Sequence, residues 1–161
     1  MPGTTGRRRR PQRRIIEATV AAGLLGAAPS ILYTLHRDGG RGAWRYGLGA
    51  TRAIATVVPP GRPNVVVGAA THMGISVVVG QALGRLLPLR HSAQWGAVGG
   101  AAMGLAGAGL IGHRFDGIRD LPFGRQLADN IAFGIVFALV ADRPRAGSTE
   151  AAQGGTFGGA S

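Results

Sequence analysis

Cysteine is missing from all 161 residues, which excludes disulfides, thiol redox chemistry and thiolate metal sites. Lysine is missing too, so the 18 basic residues are all Arg, set against 7 acidic ones. A uniform preference for Arg in a chain also rich in Gly, Ala and Val reads as compositional bias. No basic stripe alternates with stacking aromatics, so the net charge of +11 does not call for a nucleic-acid partner.

A third scarcity is positional. Charged residues are absent from 18–36, 63–84 and 91–113, while the segments between them hold nearly all of the Arg. The overall hydrophobic share of 45% is ordinary for a globular domain, so the argument rests on arrangement. Each charge-free stretch is close to the roughly 20 residues a helix needs to cross a bilayer. A fourth apolar stretch, 131–141, reaches that length only when extended back to Pro122, which takes in Arg125 and Asp129 at i and i+4. The expectation is an all-α integral membrane protein with four transmembrane helices over about 15–35, 65–86, 94–112 and 122–141.

What is plentiful within these stretches is the small residue at every fourth position. The third span carries Gly96, Gly100, Gly104, Ala108 and Gly112; the first carries Ala18, Ala22, Gly26, Ser30 and Thr34. The second reads Gly68, His72, Ser76, Gly80, Gly84, and the fourth Gln126, Asn130, Gly134, Ala138. Such stripes let helix backbones approach closely in lipid, where packing joins helices without a hydrophobic drive. They serve a four-helix bundle within one chain and would equally serve a homo-oligomer. Pro29 should kink the first span, Trp95 suits an interface, and Asp120 is the expected N-cap of the fourth span.

The six Arg of residues 1–14 precede an apolar run and resemble a secretory signal, but further spans follow, so an uncleaved first helix is the better reading. Residues 1–14 are expected to be a disordered basic N-terminus and 144–161 a disordered tail, around a transmembrane domain of 15–143. The N-terminus, second loop and tail hold ten Arg against eight in the first and third loops, which orients both termini to the cytoplasm.

The first and third spans end alike, in His36-Arg37-Asp38-Gly39 and His113-Arg114-Phe115-Asp116-Gly117, which suggests two hairpins related as a parallel repeat. On a helical wheel the first loop places Arg37, Arg41, Arg45 and Arg52 on one side and Ala43, Tyr46, Ala50, Ile54 and Val57 on the other. This is the pattern of an interfacial amphipathic helix, its basic face on headgroups and its apolar face on acyl chains, ended by Pro59-Pro60.

Antiparallel threading brings His72, Asp129 and Asn130 into one half of the bilayer. His72 lies about two turns inside its span and on the small-residue stripe, and an intramembrane ionisable group is a functional candidate by default. Asp129, at similar depth, is its expected partner, and such a pair could relay a proton or sense pH. The competing reading is packing glue, with His72 fixing helix register and Arg125 neutralising Asp129. No tight ligand spacing supports a metal or haem, no phosphate-loop pattern occurs, and Ser76 with His72 lacks placed oxyanion donors, so no cofactor and no catalytic residue is expected.

Thr71-His72 with Ser76 in one span, Pro88 in the turn, Gln94-Trp95-Gly96 opening the next, Leu121-Pro122 in the last loop and Asp129-Asn130 in the last span resemble, in order and spacing, the small YagU-like inner-membrane proteins of bacteria. The resemblance covers residues 65–143 and implies location and architecture, not a reaction. It leads to a small polytopic inner-membrane protein, partnered by the lipid bilayer and without an enzymatic role. The alternative is a proton-linked or small-solute transport or pH-sensing protein using the His72 and Asp129 pair.

Overall fold

The computed structural model describes residues 10–58 and 64–143. The expectations for a disordered start and tail, and for Pro59-Pro60 as a terminator, fall wholly or largely outside that range. The described residues are helical, in the order α1 (Gln12–Leu25), α2 (Ala28–Ala55), α3 (Val65–Leu86), α4 (Ser92–Ala106), a π-helical segment (Gly107–Ile111), α5 (Asp116–Arg119) and α6 (Phe123–Ala141). Three helical stretches are long and apolar enough to cross a membrane: Gln12–Ala55 taken through its kink, Val65–Leu86 and Phe123–Ala141.

The second and fourth expected spans match α3 and α6 within a residue. Asn64 caps α3, its side chain accepting from the Val66 and Val67 N–H groups at 2.8 and 3.2 Å. Asp120 does not cap α6. It closes the short α5, and Pro122 holds the N-cap position without a side-chain cap, because proline disfavours helical backbone at the preceding Leu121. The third span is a 15-residue α-helix continued by a five-residue π segment, so its register shifts at Gly107.

The first span starts at Gln12, inside the stretch expected to be disordered, and breaks between α1 and α2 at Gly26-Ala27. Pro29 sits in the first turn of α2, where its missing N–H is least harmful. The helix then runs well past the expected end at residue 35. Gly39, with φ of 69°, is the sole interruption. Positive φ costs glycine little, and beyond it the chain resumes as the basic helix expected in the first loop.

Side chains are distributed opposite to a water-soluble core. Most buried positions are small: Ala18, Ala22, Gly68, Ser76, Gly80, Gly96, Gly100, Gly104, Gly134 and Ala138 among them, with Ile15, Leu83, Leu87, Phe133 and Phe137 as large exceptions. The large aliphatics point outward, with Val66, Leu86, Leu110 and Val78 exposed at 77, 77, 75 and 71%. α6 packs on α4, α1 and α2, while α3 packs on α1 and α2.

The α4–α6 contact is backbone against backbone. A Cβ added at Gly96 would run into the Gly134 carbonyl, one at Gly134 into the Gly96 carbonyl, and one at Gly100 into the Asn130 carbonyl. α1 meets α3 differently, with side chains of α1 seated on glycines of α3: Thr19 on Gly80 and Ile15 on Gly84. The stripe of the third span is thus used as expected as far as Gly104; beyond the π segment, Gly112 is buried but a Cβ there would meet its own helix at Ala108.

Candidate functional site

A helix interrupted inside an apolar bundle strands backbone donors and acceptors, each expensive to leave unmet where water is excluded. Here the break after Leu25 is served by side chains from two other helices. On its N-terminal side, Gly23 O faces His72 Nε2 of α3 at 3.2 Å. On its C-terminal side, the Ser30 N–H donates to Asp129 Oδ1 of α6 at 3.0 Å. A carbonyl can only accept, so His72 carries its proton on Nε2, and in the neutral ring Nδ1 is left as an acceptor.

His72 and Asp129 were expected to pair with each other. Among the described residues no hydrogen bond or ion pair joins them. The reason is the kink: it frees backbone groups within reach of both side chains. Asp129 acts as an N-cap supplied from another helix, placing its carboxylate at the positive end of α2.

Arg125 makes no direct ion pair with Asp129 either, though its charge is near enough to act on that carboxylate. Its guanidinium carbon lies over two tyrosine rings, 4.6 Å from the centre of Tyr33 and 4.9 Å from that of Tyr46. It donates to Thr34 Oγ1 at 3.2 Å, and Thr34 Oγ1 in turn donates to Ser30 O at 2.8 Å. Ser30 is therefore held by its N–H and its C=O, and both holds lead to α6. Its own hydroxyl, in a residue 1% exposed, is shut off from solvent beside the Asp129 carboxylate. Asn130 turns to its own helix, donating to Gln126 O at 2.8 Å, and contributes to the site through the backbone that Gly100 meets.

Arg37, Arg41, Arg45 and Arg52 are all exposed along α2, as the wheel implies. On the opposite face Ala43 is buried, Tyr46 covers Arg125, and Ala50, Ile54 and Val57 are half-buried. The flanks of the helix meet protein, Thr51 abutting Gly68 of α3 and Ala53 and Thr56 lying against Gly117 of α5. An amphipathic helix cannot distinguish from sequence alone whether its apolar face will meet lipid or protein, and here protein covers part of it.

At the opposite end of the bundle, Arg10 forms a contact hidden within the N-terminal Arg run. It donates from Nε to Asp142 Oδ1 at 2.7 Å and from Nη2 to Oδ2 at 3.1 Å, and it reaches Leu87 O at 2.7 Å and Pro88 O at 3.2 Å. With its side chain 4% exposed, Arg10 ties together the start of α1 and the ends of α3 and α6.

His36 and His113 are exposed and stand apart from this network. Among the described residues no three of His, Asp and Glu converge as metal ligands would. No known protein family, curated protein or solved structure matches the chain.

Proposed function

We propose that this chain is a four-span protein of the bacterial inner membrane with a structural, non-enzymatic role, built from two hairpins in parallel repeat and akin to the YagU-like proteins. The observation that carries this reading is the inverted distribution of side-chain size, glycine and alanine inside and valine and leucine outside. In water that exterior would be a very large apolar patch; in lipid it is the expected surface. Counting the π segment, Ser92 to Ile111 rises about 30 Å at ~1.5 Å per residue, enough for the remaining crossing. In each hairpin glycines on one helix make room for its partner, for side chains of α1 in the first and for the backbone of α6 in the second. The Arg balance supports cytoplasmic termini; the exposed Arg face of α2 supports contact with headgroups, and its preference for the anionic cytoplasmic leaflet argues for the opposite orientation.

The proton-linked alternative now attaches to the kink. Asp129 accepts from Ser30, so protonating that carboxylate would loosen its hold on the start of α2, and a pH-sensing role would run through the bend of the first span.

Topology tests the main reading directly, since the chain has no background thiols. Single replacements Arg90→Cys and Ser148→Cys should react with an impermeant maleimide from one side, Arg45→Cys and Arg119→Cys from the other. Labelling of Arg90→Cys and Arg119→Cys from the same side contradicts four crossings.

A further inference from the structure

We infer that the cleft between the starts of α2 and α6 is a binding site for the phosphate of a membrane phospholipid, with Arg125 as its main ligand. The cleft has a volume of about 370 Å³, and Pro29, Ser30, Tyr33, Gly124 and Arg125 are in its wall. The Arg125 guanidinium carbon lies over the rings of Tyr33 and Tyr46, and hydrogen bonding is left to its N–H rim. One rim N–H goes to Thr34, and the others meet no acceptor among the described residues. No carboxylate lies within ion-pair distance of Arg125 among those residues. A planar guanidinium flanked by aromatic rings, with N–H groups left over on its rim, is suited to take a phosphate through parallel N–H bonds.

Further donors border the same space at the start of α6. Its first turn has no side-chain cap, and the Phe123 and Gly124 N–H groups have no acceptor among the described residues. The positive end of that helix therefore adds to the field at the cleft.

Depth selects the phosphate of a lipid over other anions. This step rests on the membrane-spanning reading above. The 19 residues of α6 rise about 28 Å at ~1.5 Å each, close to the ~30 Å of a hydrocarbon core. Arg125, in the first turn, then lies at headgroup level, where tyrosines such as Tyr33 and Tyr46 also prefer to sit.

The test uses the full chain in detergent, with bound lipid followed by native mass spectrometry. The probes are dioleoyl phosphatidylglycerol, dioleoylglycerol (the same chains without phosphate) and inorganic phosphate. Wild type should retain phosphatidylglycerol, bind dioleoylglycerol far less, and keep the lipid in an excess of inorganic phosphate. Arg125→Lys keeps the charge but loses the planar fork, and should weaken retention about tenfold. Gly124→Leu serves as a steric block: a Cβ there meets nothing within 4 Å, so the fold should tolerate it while the side chain fills the cleft. It should reduce retention comparably with an unchanged melting temperature. Equal retention by wild type and Gly124→Leu overturns the site, as does equal binding of dioleoylglycerol. Displacement by inorganic phosphate would assign the cleft to a soluble anion and overturn the lipid. The cysteine labelling above reads the spanning topology separately, so failure of one leaves the other identifiable.

Discussion

Gly96 of α4 and Gly134 of α6 stand back to back, each at the place where a side chain on the other would strike a carbonyl. Two helices are thereby brought within backbone contact along Gly96, Gly100 and Gly104. The relationship ranks these glycines by how much room each has. Gly100→Ala, which meets the Asn130 backbone, should cost the ~1–3 kcal/mol of an overpacked core or more. Gly104→Ala should cost less, since its nearest neighbours are Leu127 atoms at 3.1 and 3.2 Å, one of them on a movable side chain. Gly104→Leu should be severe. Leu105→Ile, on a residue 57% exposed, should change stability by less than about 0.5 kcal/mol. Melting temperatures in detergent give the ranking, and equal tolerance at Gly100 and Leu105 would mean that α4 does not pack on α6.

The kink makes a prediction about coupling. His72 and Asp129 serve opposite sides of the break through separate bonds, so His72→Ala and Asp129→Ala should add to within about 0.5 kcal/mol. A direct pair would give a double variant much less damaged than the sum. Asp129→Asn retains an acceptor oxygen and should cost less than Asp129→Ala. In a Pro29→Ala background, where α2 can regain its N–H ladder, the cost of Asp129→Ala should shrink. If it does not shrink, the carboxylate is doing something other than capping the break.

Arg10 should prove the most costly arginine to replace. Removing one member of a well-buried ion pair strands the other, and Arg10→Ala should destabilise by about 2–4 kcal/mol. Arg10→Lys should recover less than half of that, because a single ammonium cannot match two carboxylate oxygens and two carbonyls. The neighbouring Arg13, its side chain 90% exposed and paired only with Glu17 one turn on, should tolerate Arg13→Ala almost without loss. Similar effects at the two positions in thermal melts would count against the clamp.

The exposed Arg face of α2 should act on headgroups and not on folding. Replacing Arg41, Arg45 and Arg52 by Gln should leave the melting temperature in detergent near its original value. In vesicles rich in phosphatidylglycerol, quenching of Trp44 by brominated lipid should fall, since roughly 1 kcal/mol of attraction is lost with each arginine. Trp44 is 69% exposed on the same helix and reports its depth. Unchanged quenching would place this face away from the bilayer.

The sequence made the glycine stripes, the extents of α3 and α6, the break near Pro29 and the basic helix after Gly39 readable, because each depends on periodicity or on one residue's backbone preference. The partners of His72 and Asp129 were not readable for a physical reason. The Gly23 carbonyl and the Ser30 N–H become available only once the helix has broken, and a sequence shows side-chain polarity but not freed backbone groups. Arg10 was hidden differently. Within a run of arginines its neighbours all read as solvated, and only the approach of Asp142, 132 residues on, separates it from them. The π segment left no mark, since Gly107 to Ile111 continues the same small and apolar composition as α4.

The clamp at Arg10 also sets an order of events during synthesis. Arg10 is synthesised ahead of all its acceptors: two lie at the end of α3 and the others on Asp142, just beyond α6. Until α6 has been made and threaded, that end of the first helix can hold only half of its bonds, and its guanidinium must stay with water or headgroups. A chain halted before Asp142 would therefore be expected to leave the first helix loosely tethered, so that insertion of α6 and locking of the bundle become the same step.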